Sequence, residues 1–146
     1  ASHASRGKTQ RTKVMFGPPG VWYVYMIYGM HHCLNIVTER EGYPAAILIR
    51  AVKQIVHVRV RSDTEVDYRN INGPGRVCRT FEIDRTMNKK TASRTSGLWI
   101  EDRGAVTKPH NIKRGSRIGV HYAGAWKDKL WRFYLEAKVF TRGVLQ

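Results

Sequence analysis

The stretch from Val21 to Arg50, VWYVYMIYGMHHCLNIVTEREGYPAAILIR, constrains the fold more than any other part of this chain. Two β-patterned runs, residues 21–28 and 31–38, flank a tight connection at Gly29-Met30. Runs rich in aromatic and β-branched residues, broken by a glycine, fold back on each other as an antiparallel hairpin. Alternation then puts Tyr23, Tyr25 and Ile27 on one face and Trp22, Val24, Met26 and Tyr28 on the other. Just upstream, SHASRGKTQRTK is basic, with a histidine and no acid. Rings beside a cationic segment suit stacking on nucleobases and holding phosphates. A buried hairpin with Tyr and Trp as ordinary sheet residues fits the same pattern.

Beyond the hairpin, Glu39 to Pro44 reads as a polar turn and Ala45 to Val52 as a third strand, nearly all apolar and so buried on both faces. Arg50 is the lone charge in that run, and a buried arginine needs a partner, either a structural carboxylate or a functional anion. Val56, Val58 and Val60 alternate with His57, Arg59 and Arg61, which is strand-like, while residues 62–72 are polar. Asn72-Gly73-Pro74-Gly75 opens a short helix with Val77, Cys78 and Phe81 as its apolar stripe. Residues 84–96 form a polar, basic loop, and Leu98–Glu101, Arg117–Tyr122 and Trp131–Ala137 read as strands. There is no internal repeat and no linker long enough to divide the chain, so residues 1–146 are expected to form one domain.

Lys and Arg number 26 against 11 Asp and Glu, a formal net charge of +15. Such an excess favours a polyanion as partner, nucleic acid first and a membrane surface second. The membrane reading is weakened because no apolar run reaches spanning length, no signal-peptide pattern opens the chain, and the basic residues are spread rather than gathered on one helical face. No Asp or Glu precedes Glu39, which marks Arg6, Lys8 and Arg11 as an anion-facing surface. Cys33 and Cys78 lie in apolar contexts without any C-x-x-C. His31, His32 and Cys33 are neighbours on a strand and alternate in direction, so no metal site is expected, and the thiols read as free and buried. Gly73-Pro74-Gly75 lacks the preceding apolar run of a helix-hairpin-helix. The chain carries no phosphate-binding or dinucleotide fingerprint and no legible Ser-His-Asp set.

The segments ASHASRG, RTKVMFGPPGVWYVYMIYGMHHCLN, AAILIRA, NGPGRVC, LWIEDRG and RIGVHYAGAWKDKLWRFY, in that order, resemble the 3-methyladenine (alkyladenine) DNA glycosylase family. The resemblance runs from residue 1 to about residue 136 and is densest over Met15–Asn35. It implies a single α+β domain, a curved, mainly antiparallel sheet with a protruding β-hairpin and few short helices. It implies a DNA-repair enzyme that flips alkylated or deaminated purines, 3-methyladenine or hypoxanthine, out of duplex DNA and hydrolyses the N-glycosidic bond with water. No cofactor or metal is implied. The partner is double-stranded DNA containing damaged purines, with no membrane, and the protein is expected to be an intracellular, DNA-associated monomer.

Residue by residue, the resemblance implies that Tyr25 and His3 sandwich the flipped base and that Tyr23 is a further pocket aromatic. Tyr28 matches the residue that enters the minor groove in place of the flipped nucleotide, with Met30 and His31 lining the groove. Asn35 matches the asparagine that excludes the amino group of guanine. Arg50 matches the arginine near the attacking water, and Ile118 the position whose carbonyl helps hold that water. The family's general base is a glutamate about ten residues before the histidine, so it falls upstream of Ala1, and the chain reads as N-terminally truncated relative to the family. Glu39 and Glu41 sit in a polar turn and are poor substitutes. Residues 53–72 also depart from the usual longer, more helical segment. Two other classes stay open on the sequence: a lesion-binding protein impaired in catalysis, and a basic RNA-binding module.

Overall fold

The computed structural model describes residues 2–60 and 63–135. Its centre is a three-stranded antiparallel sheet in the order β1 (Trp22–Ile27), β2 (His31–Val37), β3 (Ala46–Leu48). The register pairs Trp22 with Ile36, Tyr23 with Asn35, Tyr25 with Cys33 and Ile27 with His31, and then Asn35 with Leu48. Paired residues point to the same face, so one face carries Trp22, Val24 and Leu34 and the other Tyr23, Tyr25, Cys33 and Asn35. The first of these faces is the core. Trp22, Val24 and Leu34 pack with Cys78 and Ile83, flanked by Ile36, Ile49, Met87, Ala92 and Leu98.

The outer edge of β1 is not left open. Trp22 N–H donates to the Lys90 carbonyl (2.8 Å), Lys89 N–H to the Trp22 carbonyl (2.9 Å), and Val24 N–H to Asn88 Oδ1 (3.0 Å). The basic segment after residue 84 therefore covers a strand edge that would otherwise invite pairing with another chain. The short helix α1 (Pro74–Thr80) buries Val77 and Cys78 and lies against β2 so closely that a Cβ on Gly75 would sit 3.3 Å from His31 Cβ. Phe81 is the exposed residue that ends the helix, not part of its apolar stripe.

Several expected strands end or begin elsewhere. Tyr28 leaves the β1 pattern: with Gly29 it makes the turn, at φ +51° and +68°, and the Met30 N–H closes it onto the Ile27 carbonyl (3.2 Å). The expected strand over residues 45–52 breaks at Ile49-Arg50, where the chain passes from β3 into β4 (Ala51–Val60). Arg50 is thus half-buried at a junction rather than inside a strand covered on both faces. The polar residues after 62 are not a loop. They form β5 (Asp63–Asn72), paired in register with β4 from Ala51↔Asn72 to Val60↔Asp63. Thr64, Val66 and Tyr68 alternate with Asp63, Glu65, Asp67 and Arg69, but the acids and asparagines that strands disfavour mask that alternation. Its root is fixed by the Gly73 N–H on the Arg50 carbonyl (3.0 Å) and by buried Ile71. Arg61 lies outside the described residues.

The chain divides into two compact units, one of residues 6–100 and the other of residues 101–146 with 1–5. In the second, β6 (Ile112–Gly115) pairs antiparallel with β7 (Arg132–Leu135). The expected strands at Leu98–Glu101 and Arg117–Tyr122 are absent: Leu98 makes a single bridge to Ser93, and Ile118-Gly119 is a turn. β7 lies within the expected 131–137 strand, whose last two residues are outside the described range. Arg117 organises the intervening loop, its Nη2 donating to the Trp126 carbonyl (3.2 Å) and its guanidinium lying 5.2 Å from the Trp131 ring centre. The class is α+β: among the described residues, antiparallel strands in three sheets, one α-helix and short 3-10 turns. No helix among the described residues is long and apolar enough to cross a membrane.

Trp22 is 2% exposed, and its Nε1 donates to the Leu98 carbonyl (3.0 Å), tying the segment after α1 to the core. Trp22→Phe removes that bond, leaving the Leu98 carbonyl only the Ser96 hydroxyl (3.1 Å), and empties the space of the larger indole, at a cost of about 1–3 kcal/mol. The expected outcome is a melting temperature lower by several degrees. An unchanged melting curve would mean the bond does not hold the segment.

Candidate functional site

The face of β1–β2 opposite the core is where chemistry-bearing side chains meet. Tyr23 and Tyr25, two apart on β1, have ring centres 5.2 Å apart and tilted by 34°. Asn35 stands opposite Tyr23 on β2 and is buried. Its Nδ2 donates to the Tyr23 carbonyl (3.0 Å) and the Cys33 carbonyl (3.3 Å). Both amide hydrogens are used on backbone acceptors, which fixes the side chain and turns Oδ1 away from them. Cys33 lies opposite Tyr25 and hydrogen-bonds its hydroxyl. Arg11 arrives from the preceding loop, with its guanidinium carbon 4.9 Å from the Tyr25 ring centre and a hydrogen bond to the Tyr23 side chain.

Burial sets the protonation of this face. It pushes the Tyr23 hydroxyl up, and the charge and hydrogen bond of Arg11 only partly offset that. Tyr25 is pushed far above the usual tyrosine range by burial and then by Cys33. The Cys33 thiol is raised by burial, against the pull of the Tyr25 hydrogen bond and the charges of Arg50 and Arg11. Cys78, behind the sheet, is pushed up to about 11, first by burial and then by Cys33. At neutral pH the face therefore presents neutral phenols and a protonated thiol. None of Tyr23, Tyr25, Ile27, His31, Cys33 and Asn35 is a carboxylate. The arrangement can stack a planar ring and read its edge.

The tip of the same hairpin is built differently. Tyr28 is 85% exposed and Met30 70%, while His31 is half-buried against α1. A tyrosine at φ +51° has none of the local hydrogen bonding that lets Asn or Asp tolerate that region, and holding it there costs about 1–2 kcal/mol. The strain aims a large ring away from the sheet.

The structure brings together Tyr23, Tyr25 and Asn35 as the sequence implied, and adds Arg11 and Cys33. Arg11 was marked as part of a basic surface, and no local pattern could show that it folds back onto a ring. Cys33 was weighed only as a metal ligand or free thiol, although strand alternation already set it on the tyrosine face. Arg50 sits near the Cys33 thiol, and no carboxylate among the described residues forms an ion pair with it. Arg6 and Lys8 are exposed, with the Lys8 ammonium 5.9 Å from the Phe16 ring centre. His3, in a 3-10 turn at His3–Arg6, and Ile118 are exposed residues of the other unit.

The chain is similar to known proteins over most of its length. A family model described as methylpurine-DNA glycosylase (MPG) matches residues 1–139. A protein of Methanocella arvoryzae named "Putative 3-methyladenine DNA glycosylase" is 46% identical over 138 residues, covering 92% of this chain and 68% of the relative. Proteins of the same name from Legionella pneumophila strain Lens and Anaeromyxobacter sp. strain Fw109-5 are 42% and 40% identical, covering 93% and 97% of this chain and 68% and 67% of the relatives.

Tyr23, Tyr25, Cys33 and Cys78 all hold their protons more tightly in the folded chain than in ordinary solution. A group whose pKa is raised by folding contributes stability that is complete below its unfolded pKa and is lost as pH rises toward the folded value. The melting temperature should therefore fall as pH rises from about 8.5 to about 11. Tyr25→Phe, which removes one of these protons, should flatten the upper part of that fall. A melting temperature constant to the alkaline end would contradict the burial of these groups.

Proposed function

The chain belongs to the methylpurine-DNA glycosylase family, and from that premise we propose that it draws a damaged purine out of duplex DNA onto the Tyr23–Tyr25 face, for hydrolysis of the N-glycosidic bond. The observation that carries this reading is one hairpin with two functions. Its strands hold paired rings beside a rigid Asn35, and its tip offers Tyr28, 85% exposed.

A base inside a duplex is out of reach, so it must leave the stack, at a cost of a few kcal/mol. Stacking on Tyr25 returns about 1–3 kcal/mol. Tyr28, inserted where the nucleotide was, restores part of the lost stacking, with Met30 beside it in the minor groove. His3 closes the sandwich on the base. Asn35, locked by its two hydrogen bonds, meets the edge where guanine carries an amino group and hypoxanthine does not. Arg50 faces the target nucleotide, and Ile118 offers its carbonyl to the attacking water. The substrates in this reading are alkylated and deaminated purines, 3-methyladenine and hypoxanthine among them.

Lesion binding without bond cleavage is the second reading, because stacking on Tyr25 and exclusion by Asn35 need no attacking water. The two are separated by incubating the protein with a duplex carrying one hypoxanthine and measuring released free base by chromatography. Release supports the glycosylase; tight, lesion-selective binding without release supports the binder. A preference for structured RNA over the lesion duplex would overturn both.

Tyr25→Ala should weaken binding to the hypoxanthine duplex roughly fivefold to a hundredfold, the equivalent of one stacked base. Binding to undamaged duplex should barely change. Equal loss on both would move Tyr25 out of recognition and into general packing.

Asn35→Ser shortens the side chain that excludes guanine. The ratio of guanine to hypoxanthine binding or excision should rise relative to the unsubstituted protein. An unchanged ratio, measured on matched duplexes, would remove the exclusion role.

A further inference from the structure

Arg11 does not extend from its loop as a free surface cation. Its guanidinium carbon lies 4.9 Å from the Tyr25 ring centre. The loop holds it there by tying down the backbone on both sides. Thr12, the next residue, is buried and donates its Oγ1 hydrogen to the Gly7 carbonyl (3.1 Å). The Thr9 N–H donates to Thr12 Oγ1 (2.8 Å), the Thr12 N–H to Thr9 Oγ1 (3.2 Å), and the Lys13 N–H to the Thr9 carbonyl (2.9 Å). A long side chain launched from a fixed backbone, over a ring, acts as a placed charge.

A cation over a phenol ring uses the negative face of its π-system. A purine stacked on that ring shares the same π-system. A neutral purine on the ring's other face keeps its stacking energy. A purine with a fixed positive charge meets like charge across one ring, and because Arg11 is solvent-exposed that repulsion is partly screened. The effect of Arg11 already spans the face, opposing the burial shift of Tyr23, Tyr25 and Cys33 alike.

We propose that Arg11 is a specificity-determining residue that biases the Tyr25 platform toward neutral, deaminated purines and against purines made cationic by ring alkylation. This rests on the reading of the Tyr25 face as the base platform. A ring with one cation already over it rewards a second cation less.

The test is equilibrium binding by the full 146-residue chain to four duplexes. They carry hypoxanthine, N7-methyladenine, its uncharged isostere 7-deaza-7-methyladenine, or no lesion, with a 2′-fluoro sugar under each modified base to prevent cleavage. The last two modified bases share a shape and differ in charge, so their affinity ratio isolates the effect of Arg11. The unsubstituted protein should favour the neutral isostere. Arg11→Met should move the ratio toward the cation by roughly threefold to tenfold, and Arg11→Lys should keep the original ratio. Arg11→Gln provides a second uncharged variant, with circular dichroism to confirm folding. An unchanged ratio in the uncharged variants, with lesion preference intact, overturns the role of Arg11 alone. Equal weakening on all four duplexes also overturns it and makes Arg11 a phosphate contact. Loss of any lesion preference in the unsubstituted protein overturns the platform reading itself, and this inference with it.

Discussion

The antiparallel register of β1 on β2 is the constraint on which the rest depends. Pairing Tyr23 with Asn35 and Tyr25 with Cys33 sends those four side chains to one face and Trp22, Val24 and Leu34 to the other. A slip by one residue would exchange the faces, taking Trp22 away from Cys78 and Ile83 and turning the tyrosines toward them. The register is therefore protected by the same hydrophobic packing that stabilises the domain. Trp22, Val24 and Leu34 cannot leave Cys78 and Ile83 without a large loss of burial. The candidate site inherits its precision from a core it does not belong to.

The hairpin also separates rigidity from reach. Its strands are braced by β3 on one side and by the Asn88–Lys90 backbone on the other. Its tip is braced by neither, and Tyr28 sits there in a left-handed conformation. Turn chemistry would favour Asn-Gly or Asp-Gly at such a tip. A tyrosine in that place gives up local stability for a ring held clear of the sheet. A probing residue needs that combination, since it must enter a groove while the strands behind it do not move.

The sequence made β1, β2, α1 and the tyrosine face legible because each carries a local signal: period-two alternation, or Gly-Pro ahead of an apolar stripe. β5 and β6 are hidden for other reasons. In β5, Thr64, Val66 and Tyr68 alternate with Asp63, Glu65, Asp67 and Arg69, and the acids and asparagines that strands disfavour mask that alternation. β6 is a short segment, Ile112–Gly115, whose pairing with β7 reaches across sixteen intervening residues. AAILIRAV is apolar but for Arg50, so the pattern reads as one buried strand. The chain instead changes partners at Ile49-Arg50: the Ile49 N–H donates to the Leu34 carbonyl of β2 (2.9 Å), and the Arg50 carbonyl accepts from the Gly73 N–H (3.0 Å), a tertiary arrangement with no trace in the pattern. Strand existence follows local chemistry here, while strand ends follow partners distant in the chain.

The charge of the molecule divides along similar lines. A formal net charge of +15 gives a long-range attraction to a polyanion, and exposed cations such as Arg6 act through solvent. Their effect fades beyond a Debye length of about 8 Å at physiological salt. Arg11, exposed, and Arg50, half-buried, lie beside the tyrosine face instead. Arg11 lies over Tyr25, and both act on the Cys33 thiol. Cations placed there act at short range on whatever occupies that face. Capture and discrimination can then respond to ionic strength differently: the first falls as counterions replace the lysines and arginines on phosphate, while the second also depends on stacking and a locked amide. A highly basic chain needs this separation to be selective. If its whole charge served attraction, undamaged and damaged duplex would be held alike, and only the short-range chemistry of the β1–β2 face could tell them apart.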